Sequence, residues 1–145
     1  MSPKHSAKDV LNRFYAAERV YMSSPPEHRD ANALKATLSH DVKLYQSPDL
    51  PYPGTYTGID EFMKWGRDMS NFFDKIDVQT TNVLEDGDIV VILGQLTLRA
   101  RATGEEWTNP FCQVDKVDRE KGLITEIRPF YWDVARLNRA VGRKV

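Results

Sequence analysis

The chain has 145 residues, of which 41% are hydrophobic and 28% charged, as in water-soluble globular proteins of one domain. Twenty basic and 21 acidic residues give a net charge of −1, which argues against nucleic acid as the main partner because phosphate binding needs a basic field. The single cysteine, Cys112, excludes an intrachain disulfide. No signal peptide and no apolar run of roughly 20 residues is recognisable. We therefore expect one cytoplasmic domain over residues 1–145 that does not contact a membrane.

Helices are predicted for most of the first third of the chain. Ser6 and Asp9 resemble a capping box, and the apolar residues that follow recur at helical spacing, which predicts a helix over residues 6–22. A shorter helix is expected near residues 33–38. A short strand is then predicted over residues 42–47.

A proline-rich segment and a third helix follow this strand. Residues 48–58 contain three prolines and two glycines, which predicts an irregular segment. Its tyrosines make it more apolar than a solvated linker, so we expect it to act as a lid over a binding site. Apolar residues at helical spacing then predict a third helix over about 59–73.

From residue 76 the hydrophobic period changes from helical to alternating, which indicates strands. Four strands are predicted, at residues 76–84, 88–101, 105–117 and 123–132. The segments between them are short and contain glycine, so the strands should form an antiparallel meander. Asp133 is expected to cap a final helix over residues 134–141, which Gly142 ends. Helices followed by a meander predict an α+β fold with the helices on one face of the sheet.

Two motifs resemble the SnoaL-like branch of the nuclear-transport-factor-2-like superfamily. They are TG-x-x-W at residues 103–107 and G-x-I-x-E-x-R-P-F-Y-W-D at residues 122–133. The order of the predicted elements resembles this superfamily over nearly the whole chain. The resemblance implies a cone-shaped, strongly bent antiparallel sheet wrapped around the N-terminal helices. The open end of such a cone is a natural pocket for a small molecule.

The resemblance also implies a set of possible activities. The superfamily includes polyketide cyclases, ketosteroid isomerase, limonene epoxide hydrolase and scytalone dehydratase. The segment over residues 41–58 is most similar to small fungal isomerases and cyclases of natural-product pathways. The site of ketosteroid isomerase is not reproduced unless Asp49 substitutes for its base, because Ser47 stands where the base aspartate precedes a proline. Gln113 stands near its protonated aspartate.

The last strand carries the residues that we expect to be catalytic. Glu126 and Arg128 lie on one face if no bulge intervenes. A carboxyl in an apolar cone has a raised pKa, so Glu126 is the expected general acid or base. Arg128 and Tyr45 are the expected stabilisers of a developing oxyanion. The alternative for Glu126 and Arg128 is a structural ion pair on the outer face of the sheet.

Further residues are expected to contact the substrate. Four of them alternate along one face of the third meander strand, which suits the lining of an apolar cavity, although a packed core is the alternative: Trp107, Asn109, Phe111 and Gln113. Phe130 is expected to join them from the last strand. Asp49, in the proline-rich segment, is either a substrate contact or a turn residue.

The predicted strand at 88–101 is apolar on both faces over its first half. A sheet with two apolar faces is usually covered on both sides, so we expect a homodimer through the sheet. No pattern for a metal or a nucleotide cofactor is present. These features favour a cofactor-free isomerase or cyclase acting on a hydrophobic natural-product intermediate. The alternative is a non-catalytic module that binds a small molecule or dimerises.

Overall fold

The computed structural model describes residues 5–142, whereas residues 1–4 and 143–145 of the predicted domain lie outside the described part. The described chain forms four α-helices and a sheet of six strands. The helices are Ala7–Ser23 (α1), Asn32–Lys35 (α2), Gly58–Phe72 (α3) and Val134–Ala140 (α4), with a 3-10 turn at Pro26–His28. The strands are Leu38–Gln46 (β1), Gly54–Thr57 (β2), Phe73–Asp86 (β3), Ile89–Ala100 (β4), Glu106–Asp118 (β5) and Leu123–Tyr131 (β6).

The sheet has the strand order β2-β1-β6-β5-β4-β3. The last four strands form the antiparallel meander that the sequence predicts, so this part of the topology is confirmed. The β1 strand joins it by pairing in parallel with β6, a contact between distant parts of the chain that no local pattern announces. The sheet therefore curls around the helices as an unclosed cone, and the α+β class is confirmed.

Local chemistry explains where α1 and α4 begin. The backbone N–H of Asp9 donates to Ser6 Oγ at 3.0 Å, and the N–H of Arg136 donates to Asp133 Oδ1 at 2.9 Å. Each bond satisfies one of the N–H groups that a helix start leaves without an intrahelical partner. At the end of α4, Gly142 has a φ of +82°, which a glycine adopts at little cost.

The core lies between the concave side of the sheet and the apolar faces of α1 and α3. Phe14 of α1 packs edge-on against Phe62 of α3, with ring centres 6.2 Å apart. Phe62 in turn lies 5.0 Å from the ring of Trp65. These rings are almost completely buried. The two helices thus form the inner wall of the cone.

Two elements differ from the sequence-based prediction. The proline-rich segment contains a strand, β2, which pairs with the end of β1 because its last proline, Pro53, precedes the paired residues. The predicted second helix is only one turn long, and β1 starts at Leu38 rather than at residue 42. The Thr37 hydroxyl and backbone N–H both donate to the Leu34 carbonyl, which closes the helix at that point.

Candidate active site

The interior of the cone contains a narrow cavity. About 20 Å³ of its interior is wide enough for the centre of a water molecule. The walls are mostly aromatic and aliphatic side chains. The polar groups among them come from Glu18, Gln46, Gln113 and Tyr131, and from the indole of Trp65. The space holds about one water molecule, so a larger ligand requires the walls to move.

Glu18 brings a carboxyl group into this cavity from α1. Residue 18 lies one turn after Phe14 on the buried face of the helix, and Glu18 is only 7% exposed. Burial raises the pKa of the Glu18 carboxyl from its usual 4.5 to about 8, and the charge of Asp115 adds to this rise while Arg19 opposes it. Glu18 therefore keeps its proton at neutral pH.

Asp115 supplies a second carboxyl group from the inner face of β5. It is fully buried, and one oxygen accepts a hydrogen bond of 2.9 Å from the Gln113 amide while the other has no partner. Burial raises the pKa of Asp115 from 3.8 to about 7, although the Gln113 hydrogen bond acts in the opposite direction. Glu18 and Asp115, here called the carboxyl pair, are close enough for the charge of one to affect the other.

Tyr15, which is also in α1, lies beside the carboxyl pair. Its hydroxyl is buried and has no hydrogen-bond partner of acceptable geometry. Burial raises the pKa of this phenol well above its usual value, and the charges of Asp115 and Glu18 raise it further. The three acidic groups thus form one electrostatically coupled cluster in apolar surroundings.

The proline-rich segment packs against residues that line the cavity. Leu50 and Tyr52 are buried at 0% and 2% exposure, and the Asn138 amide of α4 donates to the Asp49 carbonyl at 2.8 Å. The Tyr52 hydroxyl donates to the Tyr131 hydroxyl at 3.2 Å. The segment therefore packs against Tyr131, which lines the cavity, and its role as a lid stays a prediction.

Glu126 lies on the outer face of the sheet, which corrects the expectation that it projects into the cone. Between Ile124, which points inward, and Glu126, which lies opposite Lys116, β6 contains one extra residue, Thr125. This bulge reverses the alternation, so that Ile127 takes the next inward position and is buried. The Glu126 carboxylate instead lies 3.9 Å from the Lys116 ammonium, as in the ion-pair alternative.

Arg128 and Phe130 also lie outside the cone. The guanidinium carbon of Arg128 lies 4.4 Å from the centre of the Tyr45 ring, a cation–π contact. These side chains line a surface pocket, here called the outer cleft, with about 370 Å³ open to the centre of a water molecule. The structure thus brings Tyr45 and Arg128 together, but on the side of the sheet away from the carboxyl pair.

The residues expected on the cavity face of β5 divide into two groups. Phe111 and Gln113 line the cavity. Trp107 is buried further along, with its ring 6.2 Å from that of Phe73. Asn109 is half-buried beside it and accepts from the Trp107 indole at 3.1 Å in the amide orientation that satisfies both of its atoms.

Asp49, the remaining residue that was expected to contact the substrate, has an exposed side chain on the proline-rich segment. Its backbone N–H donates to Ser47 Oγ at 3.3 Å, which fits the turn-residue alternative. The structure does not bring this carboxylate into the cavity lining.

The sequence analysis missed two buried acids, Glu18, which lines the cavity, and Asp115, which is close enough to affect it. The helical spacing that buries Phe14 and Tyr21 also places residue 18 on the inner face of α1. The alternation that turns Phe111 and Gln113 inward, continued by two residues, reaches Asp115. The available signal for a functional site was an acidic residue at a position that the hydrophobic pattern assigns to the core, because buried acids are rare without a partner.

Within residues 5–142, no group of three histidine, cysteine, aspartate or glutamate side chains is placed to hold a metal ion. None of the helices in this part of the chain is long and apolar enough to cross a membrane.

Solved structures of the nuclear-transport-factor-2-like class share this fold. One, of unknown function, from Burkholderia pseudomallei, is 22% identical with a TM-score of 0.75, covering 93% of this chain and 96% of that one. TerC, co-crystallized with polyporic acid, is 17% identical with a TM-score of 0.75, covering 92% and 96%. A putative SnoaL-like polyketide cyclase from Jannaschia sp. is 15% identical with a TM-score of 0.72, covering 99% and 100%. At these identities the likeness shows the fold alone.

The family follows from the sequence profile of the SnoaL-like domain, which matches residues 11–127. The chain therefore belongs to the SnoaL-like domain family, as its two motifs predicted. Comparison with curated proteins gives no match.

Proposed function

We propose that the protein is an enzyme that isomerises or cyclises a hydrophobic, oxygenated small molecule by general acid–base catalysis in the cavity. The observation that carries this proposal is the Glu18 carboxyl, which is 7% exposed, lines the cavity and has a pKa raised to about 8. A desolvated carboxyl with a pKa near the working pH is suited to proton transfer. Proton transfer by the chain's own groups requires no cofactor.

In the proposed reaction, Glu18 moves one proton within the substrate. Its carboxylate form takes a proton from a carbon next to a carbonyl group, and the resulting acid returns that proton to another position. The raised pKa makes this carboxylate a stronger base than an ordinary one, and roughly a tenth of the molecules carry it at pH 7. Asp115 and its partner Gln113 act as positioning residues, because they set the electrostatic environment of Glu18.

A developing negative charge on the substrate oxygen needs a hydrogen-bond donor. The Tyr131 hydroxyl accepts from Tyr52, so its own proton remains available to a ligand in the cavity. This role replaces the one expected for Arg128 and Tyr45, which lie in the outer cleft. Phe111 and Gln113 line the cavity and keep their expected role of enclosing the substrate.

The substrate class of the proposal is a polyketide, terpenoid or alkaloid intermediate. The apolar walls support a hydrophobic substrate, and the few polar groups among them support one that carries oxygen. Among structures with the same fold, TerC was crystallized with polyporic acid, and the protein from Jannaschia sp. is described as a putative polyketide cyclase.

Hydrogen exchange on a simple ketone tests the proposed proton transfer. We expect the protein to accelerate deuterium uptake at the α-carbons of 2-tetralone in D2O, and Glu18→Gln to lower this acceleration by about 100-fold or more. Glu126→Gln, which removes a carboxylate from the outer face, is the matched control and should leave the rate unchanged. Equal rates for Glu18→Gln and the unaltered protein would contradict the proposal. Binding of 2-tetralone without accelerated exchange would favour the alternative, a ligand carrier.

The proposal includes a homodimer through the outer face of the sheet. Leu93, Cys112 and Phe130 form one row across β4, β5 and β6. Leu93 is 38% exposed, Phe130 53% and Trp132 72%, which supports an apolar face that a second copy of the chain covers. We expect sedimentation equilibrium at micromolar concentration to give a dimer, and Leu93→Asp to give a monomer. Val20→Asp on α1, where Val20 is 63% exposed, is the control and should stay dimeric. A monomeric unaltered protein would refute this part.

A further inference from the structure

The outer cleft and the cavity are separated by a thin wall. Three residues line both spaces: Gln46, Pro129 and Tyr131. The cavity has about 20 Å³ open to the centre of a water molecule, and the cleft has about 370 Å³. A ligand too large for the cavity alone therefore has adjoining space on the far side of these side chains.

The wall lies where β1 and β6 separate. The two strands pair in parallel as far as Leu44 and Ile127, beyond which no further pair forms. Pro129, the next inward residue of β6, has no backbone N–H to donate to a neighbouring strand. Side chains rather than backbone hydrogen bonds consequently close the sheet at this point.

Gln46 is the part of the wall that lacks partners. It is 6% exposed, and neither atom of its side-chain amide has a hydrogen-bond partner of acceptable geometry. The amide lies near the Tyr131 hydroxyl, whose pKa it helps to lower against the larger effect of burial. Buried amides are normally paired, since an unpaired one loses its bonds to water without replacement. A polar ligand group between the two spaces would supply the missing bonds.

Arg128 gives the outer cleft a positive charge. Its guanidinium is held against the Tyr45 ring. Within residues 5–142, the ion pairs involve other arginines and lysines, and none involves Arg128. A guanidinium offers a planar fork of donors that matches a carboxylate. The cleft therefore has a donor set suited to an anionic group.

We propose that the cleft and the cavity form one binding site for an elongated, anionic ligand. Its apolar body occupies the cavity, a polar group near its middle bonds to the Gln46 amide, and a carboxylate at its end binds Arg128. The inference rests on the proposed function in one respect, since the body of the ligand reaches the cavity that Glu18 lines.

Tyr131 is the movable part of the wall in this arrangement. Its hydroxyl is held by the hydrogen bond from Tyr52, and its ring packs edge-on against Phe111 at 5.8 Å. Rotation of the Tyr131 side chain breaks that hydrogen bond and joins the two spaces. The site is therefore closed without ligand and opens when the apolar body displaces this ring.

Two probes of nearly equal shape, 2-naphthoate and 2-naphthamide, distinguish the contribution of the charge to the binding affinity from that of the apolar body. Isothermal titration should show that Arg128→Gln weakens 2-naphthoate about ten-fold and leaves 2-naphthamide within about two-fold. Lys116→Gln removes a positive charge from the same face outside the cleft, so it is the matched control and should change neither affinity. Equal effects of Arg128→Gln on both probes, or none on either, would overturn the inference.

The position of the apolar body is read from methionine methyl groups. Met69 lines the cavity, whereas Met22 is buried outside its lining. With methyl-labelled methionine, bound 2-naphthoate should shift the Met69 resonance strongly and the Met22 resonance little. A Met69 resonance that does not move would place the probe in the cleft alone and refute a joined site. If Arg128→Gln affected both probes equally or neither, while the unaltered protein still accelerated 2-tetralone exchange, this inference would be rejected and the proposed function would stand.

Discussion

Replacing Glu18 by glutamine should remove a defined part of the pH dependence of stability. In the folded protein the pKa of Glu18 is raised to about 8 by burial, whereas the unfolded chain has the usual value near 4.5. Between these values the folded state holds one proton more than the unfolded state, so the free energy of unfolding falls as pH rises. The loss is about 1.4 kcal/mol per pH unit. Glutamine has a similar shape and never ionises, so this contribution disappears.

The stability of Glu18→Gln relative to the unaltered protein should therefore rise with pH. From about pH 5 to pH 8 the difference grows by about 1.4 kcal/mol per unit, or about 4 kcal/mol in all. That change is large beside a typical total stability of about 5–15 kcal/mol. Urea denaturation followed by circular dichroism at several pH values measures it directly.

The matched control is Glu126→Gln, which changes a half-exposed carboxylate on the outer face. Its stability should follow that of the unaltered protein across the same pH range. Parallel pH profiles for Glu18→Gln and the unaltered protein would refute the reasoning, because they would show that Glu18 titrates alike in the folded and unfolded states.

Two further changes test the packing around the site. Gln46→Met should raise the free energy of unfolding of the ligand-free protein by about 1–3 kcal/mol, because it removes an unpartnered buried amide, and a loss of stability in urea titration would contradict this. Gly94→Ala should lower it by at least about 2 kcal/mol, because the new Cβ would clash with the Gln79 carbonyl oxygen of β3. The control Gly66→Ala in α3 has its nearest contact at 3.5 Å and should gain about 1 kcal/mol, so equal thermal shifts for the two alanines would disprove the steric account.

The helices and the meander could be predicted because their patterns are local. The capping bond at Ser6, the change of period after α3 and the glycines between strands are all readable over a few residues. The parallel pairing of β1 with β6 was not predicted, because it joins segments about 80 residues apart and depends on how far the meander curls. The short β2 was hidden by the prolines that precede it.

The site was harder to predict, because one inserted residue decides which side chains enter the cone. Alternation alone places Glu126 with Ile124 on the inner face, and the bulge at Thr125 reverses this arrangement. Glu18 and Asp115 follow their patterns, but the sequence analysis did not single them out. Their energetic effect depends on burial, which only the packed structure reveals.

A direct titration of the Glu18 side chain tests the central claim, that an acid group inside the cone keeps its proton at neutral pH. Carbon NMR of the labelled glutamate carboxyls, with Glu18→Gln to assign the resonance, measures its midpoint. We predict a midpoint near 8. A midpoint near the ordinary value of 4.5 would contradict the claim, because the carboxyl would then be ionised and in contact with water.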